Sequence, residues 1–291
     1  MRPDDGFVEA NGLRLHYLAW PPASRGYVGF PSVVLVHATG FLARLWQPVA
    51  ERLASRYQVY AYDMRGHGDS DKPEPIADNY HWRHLAHDLV GFLDAFALRD
   101  VPVVGHSSGG GAAAYVAATR PGYISRLVLI EPIIIPPHAA ATLRPSNPMA
   151  EAARRRREVF ASPEEVVSVY RPRSAFARWK EEALQLYAEH GTFRREEGRV
   201  QLKCPGEIEA LAFENSASLN VWEVLPQVTC PALVVRGRHT DPFVGAMAQR
   251  VSEQLPNARL LTVEDASHLV PMEQPEALAR EIAAFLDEPA P

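Results

Sequence analysis

The 291-residue chain has only two cysteines, Cys204 and Cys230, far apart and without metal-ligand spacing. That excludes a disulfide scaffold and a cysteine-built metal centre, and leaves two ordinary buried thiols as the expectation. An excess of charge of one sign is also lacking, because 30 lysines and arginines stand against 35 aspartates and glutamates, a net of -5. No broad positive field remains for nucleic acid or for an anionic membrane surface. Long hydrophobic runs are missing as well, none approaching the ~20 residues of a spanning helix. The opening residues Met1 to Asp5 lack the charged-then-apolar pattern of a secretory leader, so a cytoplasmic location is expected. With 47% hydrophobic and 22% charged residues, neither disorder nor a fibrous class fits, and one large core with an accessory lid can be buried. The sequence has no internal repeat.

What is present is chemistry. Gly105-His106-Ser107-Ser108-Gly109 follows the apolar run Val101–Val104 and precedes a stretch of small, helix-favouring residues from Gly110 to Ala118. A G-x-S-x-G pattern in this setting predicts a nucleophile elbow, a strand-to-helix turn so sharp that only glycines fit around the exposed serine. Serine alone is a poor nucleophile and needs a base, which in turn needs an orienting carboxylate; for this elbow the chain order is serine, acid, histidine. His268 is expected as the base, because it follows the extended run Ala258–Val263 and precedes the amphipathic segment 274–287, on a loop at a strand's carboxyl end. Asp241 is chosen as the acid, in the loop after the buried run Pro231–Arg236. Glu131, at the end of Leu127–Ile130, is its competitor, whereas Asp265 reads as a solvated loop carboxylate and His239 as a loop side chain. Backbone N–H groups of Ser108 and of the loop His37-Ala38-Thr39-Gly40-Phe41 are the expected oxyanion donors, Thr39 first and Ala38 second.

These residues resemble the α/β-hydrolase superfamily of serine hydrolases. Asp63-Met64-Arg65-Gly66-His67-Gly68-Asp69-Ser70 is similar to the family's D-x-R-G-x-G-x-S segment, His37 to Gly40 to its H-G-x-x loop, and 256–275 to its histidine-bearing end. Ala38 stands where the family usually has glycine. The resemblance implies an α/β fold with a mostly parallel sheet between helices, and structural roles for Asp63, Arg65 and His67. It also disfavours epoxide hydrolase and haloalkane dehalogenase chemistry, whose nucleophile is aspartate.

Alternating buried strands and helices independently imply a doubly covered parallel sheet. Leu13–Tyr17 is an early strand and 21–31 a loop. The core is expected over 1–131 and 222–291, with a helical cap inserted at 132–221 that has no buried strand runs and helices over 149–160, 163–170, 175–190 and 206–213. Phe41, Ile133, Phe160, Phe176, Trp179, Phe213 and Leu269 are the candidate pocket residues. Arg154 to Arg157 read as a solvated cap surface, and His81, His84 and His87 as a helix face rather than a metal site. No metal and no cofactor is expected, and the only partner implied is a small-molecule substrate. Hydrolysis of a carboxylic ester or lactone is the leading expectation; carbon–carbon hydrolysis of a diketone, cofactor-free perhydrolase or haloperoxidase activity, and a ligand receptor are the alternatives.

Overall fold

The computed structural model describes residues 2–22, 30–140 and 147–289, without the side chains at 138 and 140. Most of the loop expected over 21–31 therefore lies outside the described residues, as do Met1 and the side chain of His138. Among the described residues eleven strands and eleven α-helices follow in chain order. The body opens with β1 (Asp4–Ala10), β2 (Leu13–Trp20), β3 (Ser32–Val36), α1 (Gln47–Leu53), β4 (Gln58–Tyr62) and α2 (Trp82–Ala95). It continues with β5 (Val101–His106), α3 (Ser108–Thr119) and β6 (Ile124–Ile130). A second layer follows, comprising α4 (Pro137–Ala140), α5 (Pro148–Arg155), β7 (Val159–Phe160), α6 (Pro163–Tyr170), α7 (Glu181–His190), β8 (Thr192–Arg194), β9 (Val200–Leu202) and α8 (Gly206–Glu214). The chain then returns through β10 (Ala232–Gly237), α9 (Pro242–Gln254), β11 (Ala258–Val263), α10 (Val270–Glu273) and α11 (Pro275–Leu286).

Eight strands form one sheet in the order β1-β2-β4-β3-β5-β6-β10-β11. Only β1 and β2 break the parallel run: they pair with each other, and β2 pairs with β4, in antiparallel fashion. Their hairpin turns on Asn11-Gly12, both at positive φ (52° and 74°), the conformation for which Asn-Gly is selected. Along the parallel strands successive side chains alternate between two apolar layers, as the twofold strand period requires. Val34, Val36, Val103, Leu127, Leu129 and Val234 pack under α2, α3 and α9, while Val33, Leu35, Val104, Val128, Ile130, Leu233 and Val235 pack under α1 and α11. Burial on both faces explains why these strands read as continuous apolar runs. It also places the strands' carboxyl ends, where the elbow and the histidine loop sit, at one rim.

The inserted layer is not purely helical. β7, β9 and β8 form a small antiparallel sheet, a departure from the expected all-helical cap. These strands are two or three residues long, too short for a twofold pattern to stand out in the sequence. The four expected cap helices are present as α5 to α8, with α5 ending at Arg155 and α7 beginning at Glu181. Among the described residues no helix is long and apolar enough to cross a membrane.

Arg65 and Asp88 lock α2 to the loop after β4 through two charge-assisted hydrogen bonds of 2.6 and 2.7 Å, both side chains almost fully buried. Removing one partner strands the other's charge in an apolar setting. Asp88→Ala should lower the unfolding free energy by about 3–5 kcal/mol in urea titration. Glu264→Ala, which removes the partner of exposed Arg238, should leave the midpoint unchanged.

Candidate active site

Ser107 occupies the turn between β5 and α3 with φ 54° and ψ -114°, a conformation that L-residues avoid. Two glycines make it possible. A side chain on Gly105 would come within 2.5 Å of the Gly109 carbonyl oxygen, and one on Gly109 within 2.6 Å of the carbonyls of Val36 and His37. The elbow is thus pressed against the end of β3, which brings the loop after β3 beside Ser107.

His268, on the loop after β11, bridges two groups. Its Nε2 lies 3.2 Å from Ser107 Oγ and its Nδ1 lies 3.2 Å from Glu131 Oε2. With Nδ1–H donating to the carboxylate, Nε2 is left to accept the serine proton. Glu131 is fully buried and stands at the end of β6 with φ 47°. Its Oε1 accepts from the Gly237 N–H at 2.6 Å, and its Oε2 accepts from the Thr240 hydroxyl at 2.7 Å.

The carboxylate facing His268 is therefore Glu131 and not Asp241, a correction to the reading of the sequence. Asp241 is the N-cap of α9, exposed, and accepts from the Phe243 N–H at 2.8 Å. An Asp before Pro at the start of a helix is well suited to that capping role. The loop after β10 does serve the site, but by supplying Gly237 and Thr240 to hold Glu131. Asp265 and His239 are exposed loop residues, as expected.

Other supports were not legible beforehand. His106 donates from Nε2 to the His268 carbonyl at 2.8 Å, and burial, reinforced by the neighbouring His268, lowers its pKa to about 3, which keeps it neutral. Glu273 accepts from the N–H and hydroxyl of Ser267, bracing the residue before His268. Gly237 lies so close under this loop that a side chain there would reach within 2.3 Å of the Ser267 carbonyl. Close packing of backbone on backbone leaves no trace in a single sequence beyond the glycine itself.

The expected oxyanion donors need a second correction. The Thr39 N–H is not free: it donates to Ser108 Oγ at 2.9 Å, and Thr39 Oγ1 lies 3.0 Å from the same oxygen. The N–H groups of Ser108 and Ala38 have no acceptor among the described residues. The loop itself is fixed by two neutral histidines. His37 Nε2 accepts from the Met64 N–H, and His67 Nε2 accepts from the Gly40 N–H, each at 2.9 Å. Burial lowers the pKa of His37, and burial followed by the proximity of His37 lowers that of His67 to about 3. Asp63 accepts from the Ala43 and Asp69 N–H groups and pairs with His16; against the opposing effect of burial, His16 holds its carboxyl below the usual range. His16, Asp63 and Asp69 bring potential metal ligands within 4.8 Å of one another, but His16 is spent on Asp63 and Asp69 on Lys203. Asp63, Arg65 and His67 thus brace the loops around the elbow.

Of the expected pocket residues, Phe41, Phe160, Phe176, Trp179 and Leu269 gather in one apolar cluster of cap, the loop after β3 and the His268 loop, together with Tyr170 and Tyr187. Phe41 meets Trp179 edge-on at 5.4 Å between ring centres. Ile133 instead packs in the body core and Phe213 among cap alanines, so these two lie outside that cluster. Three of the four consecutive arginines pair on the cap surface with Glu207 and Glu214, Glu151 and Glu165. Arg156 differs from the expectation, because it turns inward to pair with Glu209, whose carboxyl is raised by burial. Of the two free thiols, Cys204 is buried and Cys230 partly so; burial pushes Cys204 up to about 12 and Cys230 to about 11.

The model of the alpha/beta hydrolase family matches residues 33–281, and the chain belongs to that family. An N-formylmaleamate deformylase of Pseudomonas putida is 29% identical over 98% of this chain and 97% of its own length. An esterase, YbfF, of Escherichia coli is 26% identical over 88% of this chain and 93% of its own length. The solved structure of E-2-(acetamidomethylene)succinate hydrolase superposes with a TM-score of 0.80 over 99% of this chain and all of that one, at 22% identity. Hydrolase activity follows from the family; the bond cleaved is not fixed by these likenesses, which include ester and amide hydrolases.

His37, His67 and His106 all have native pKa values below the ordinary 6.5, so the unfolded chain binds protons that the native chain refuses. Their contribution to stability is complete above pH 6.5 and is lost as the pH falls, for His67 and His106 down to about 3. His16, raised by Asp63 and Asp5 despite burial, acts in the opposite direction but is outnumbered. Calorimetry should therefore find a Tm several degrees lower at pH 5 than at pH 7.5; an equal or higher Tm would contradict this linkage.

Proposed function

We propose that this protein hydrolyses carboxylic esters, lactones included, of small, largely apolar substrates through an acyl-enzyme on Ser107. The observation that carries the reading is the hydrogen-bonded line from Ser107 Oγ through His268 to buried Glu131, at 3.2 Å for each step. His268 takes the proton as Ser107 Oγ bonds to the carbonyl carbon, and Glu131 steadies the imidazolium. Collapse of the tetrahedral intermediate breaks the bond to the alcohol, which leaves with the proton from His268. Water then attacks the acyl carbon, gives its proton to His268, and the regained proton returns to Ser107 as the acid departs. A cavity of about 10 Å³ bounded by Ala38, Phe41, His106 and Met272 has room for one water, and the apolar cluster that shares Phe41 and Met272 with it supports a small apolar acyl group.

Amide hydrolysis is the second reading, favoured by full-length relatives such as the P. putida deformylase and the structural likeness to the acetamidomethylene succinate hydrolase. The same acyl-enzyme serves, with His268 protonating a nitrogen instead of an oxygen. Mass spectrometry of the protein mixed with p-nitrophenyl acetate and, separately, with N-formyl amides should trap an acyl group on Ser107, and the faster-forming adduct decides between the readings.

Three variants test the residue roles. Ser107→Ala should abolish turnover while the fold persists. Glu131→Gln should lower kcat by about 10⁴, the loss that follows when the orienting carboxylate of such a trio is neutralised. Asp241→Asn should stay within about threefold of the parent, costing at most part of a helix cap worth ~1 kcal/mol. A large loss in Asp241→Asn with none in Glu131→Gln would return the acid's role to position 241.

A further inference from the structure

We propose that the side-chain hydroxyl of Ser108 is itself an oxyanion donor, backed by Thr39 in a two-residue relay, a role that rests on the acyl-enzyme reading above. Three protons converge where Thr39 meets Ser108, on the Thr39 N–H, the Thr39 hydroxyl and the Ser108 hydroxyl. The Thr39 N–H is spent on Ser108 Oγ at 2.9 Å, and one hydroxyl proton closes the 3.0 Å contact between the two side-chain oxygens. That leaves one hydroxyl proton over. Neither hydroxyl has any other partner among the described residues, and Ser108 is 1% and Thr39 8% exposed.

A buried O–H without an acceptor is costly and is normally avoided. Here it lies beside the elbow, in the residue that follows Ser107 and whose own N–H is also without an acceptor. The acceptor missing at rest is the one that the reaction creates, a negatively charged carbonyl oxygen bonded to Ser107. When Thr39 donates both its N–H and its hydroxyl, Ser108 Oγ accepts two hydrogen bonds; accepting them polarises its own O–H and strengthens it as a donor. The hole then comprises the Ser108 N–H, the Ser108 O–H and the Ala38 N–H, and Thr39 acts through Ser108 without touching substrate. No proton changes owner in the relay, so the stoichiometry of acyl transfer is unaltered.

The rival is that Ser108 merely plugs the Thr39 N–H and competes with substrate for it. The two differ in sign. With p-nitrophenyl acetate as the probe, Ser108→Ala should lower kcat between tenfold and about a hundredfold, somewhat below the range for a principal donor, with KM nearly unchanged. Its affinity for an aryl trifluoromethyl ketone, whose adduct on Ser107 carries the same oxyanion, should fall by the same factor. Thr39→Val, which keeps the N–H and removes the hydroxyl, approaches the contact from the other side and guards against a folding defect in the first variant. It should lose about threefold to tenfold in kcat, a loss that vanishes in the Ser108→Ala background. A kcat for Ser108→Ala equal to or above the parent's, while the parent shows a Ser107-dependent burst, overturns the hydroxyl's role and leaves the acyl-enzyme intact. Absence of that burst in the parent overturns both.

Discussion

The site depends on the contact of backbone with backbone at the elbow. Gly105 and Gly109 let β5, α3 and the end of β3 approach to a distance no side chain would permit, and this wedge holds Ser107 in its unfavourable dihedrals. The same wedge sets the loop after β3 against α3, which is why Thr39 and Ser108 share hydrogen bonds. The parallel sheet supplies the counterforce. Its apolar layers on both faces keep β3, β5, β6 and β10 in register, so the residues just beyond their carboxyl ends meet at one rim.

Much of this was written in the chain. β3 and β11 fall where their apolar runs lie, and the elbow and His268 occupy the turn and loop that their flanking segments imply. The acid was misread because loop position and helix-capping chemistry give the same signal. Asp241 follows a buried strand, but it also precedes a proline, and the second fact governs what it does. Glu131 also ended a buried strand, and a carboxylate at 0% exposure must find partners; those partners, Gly237 and Thr240, stand on another strand end more than a hundred residues away. Pairings over such distances follow from sheet order, which periodicity does not report. The Asn11-Gly12 hairpin is the opposite case, a turn whose signal lies in two adjacent residues.

The polar braces divide by burial. Arg65 with Asp88, and Asp63 with His16, are shielded from water and fixed by several hydrogen bonds each, so they act as joints between loops and helices. The surface pairs of Arg154, Arg155 and Arg157 are open to solvent and contribute little by comparison. Arg156 and Glu209 fall between these classes, side chains 10% and 13% exposed.

That pair lies within the cap and sets Glu209 against the loop beneath, which restricts how the protein can be rebuilt. Gly40 is at φ 84°, and a side chain on it would meet Glu209 Oε1 at 2.6 Å, so the roof and the floor share a surface with no slack. A cap transplanted from a relative would have to bring its own answer to positions 156 and 209 and match residue 40 below. Chimeras cut at the two strand ends would inherit that mismatch, and diversification of this enzyme's specificity has to proceed through coordinated change rather than through exchange of a free-standing module.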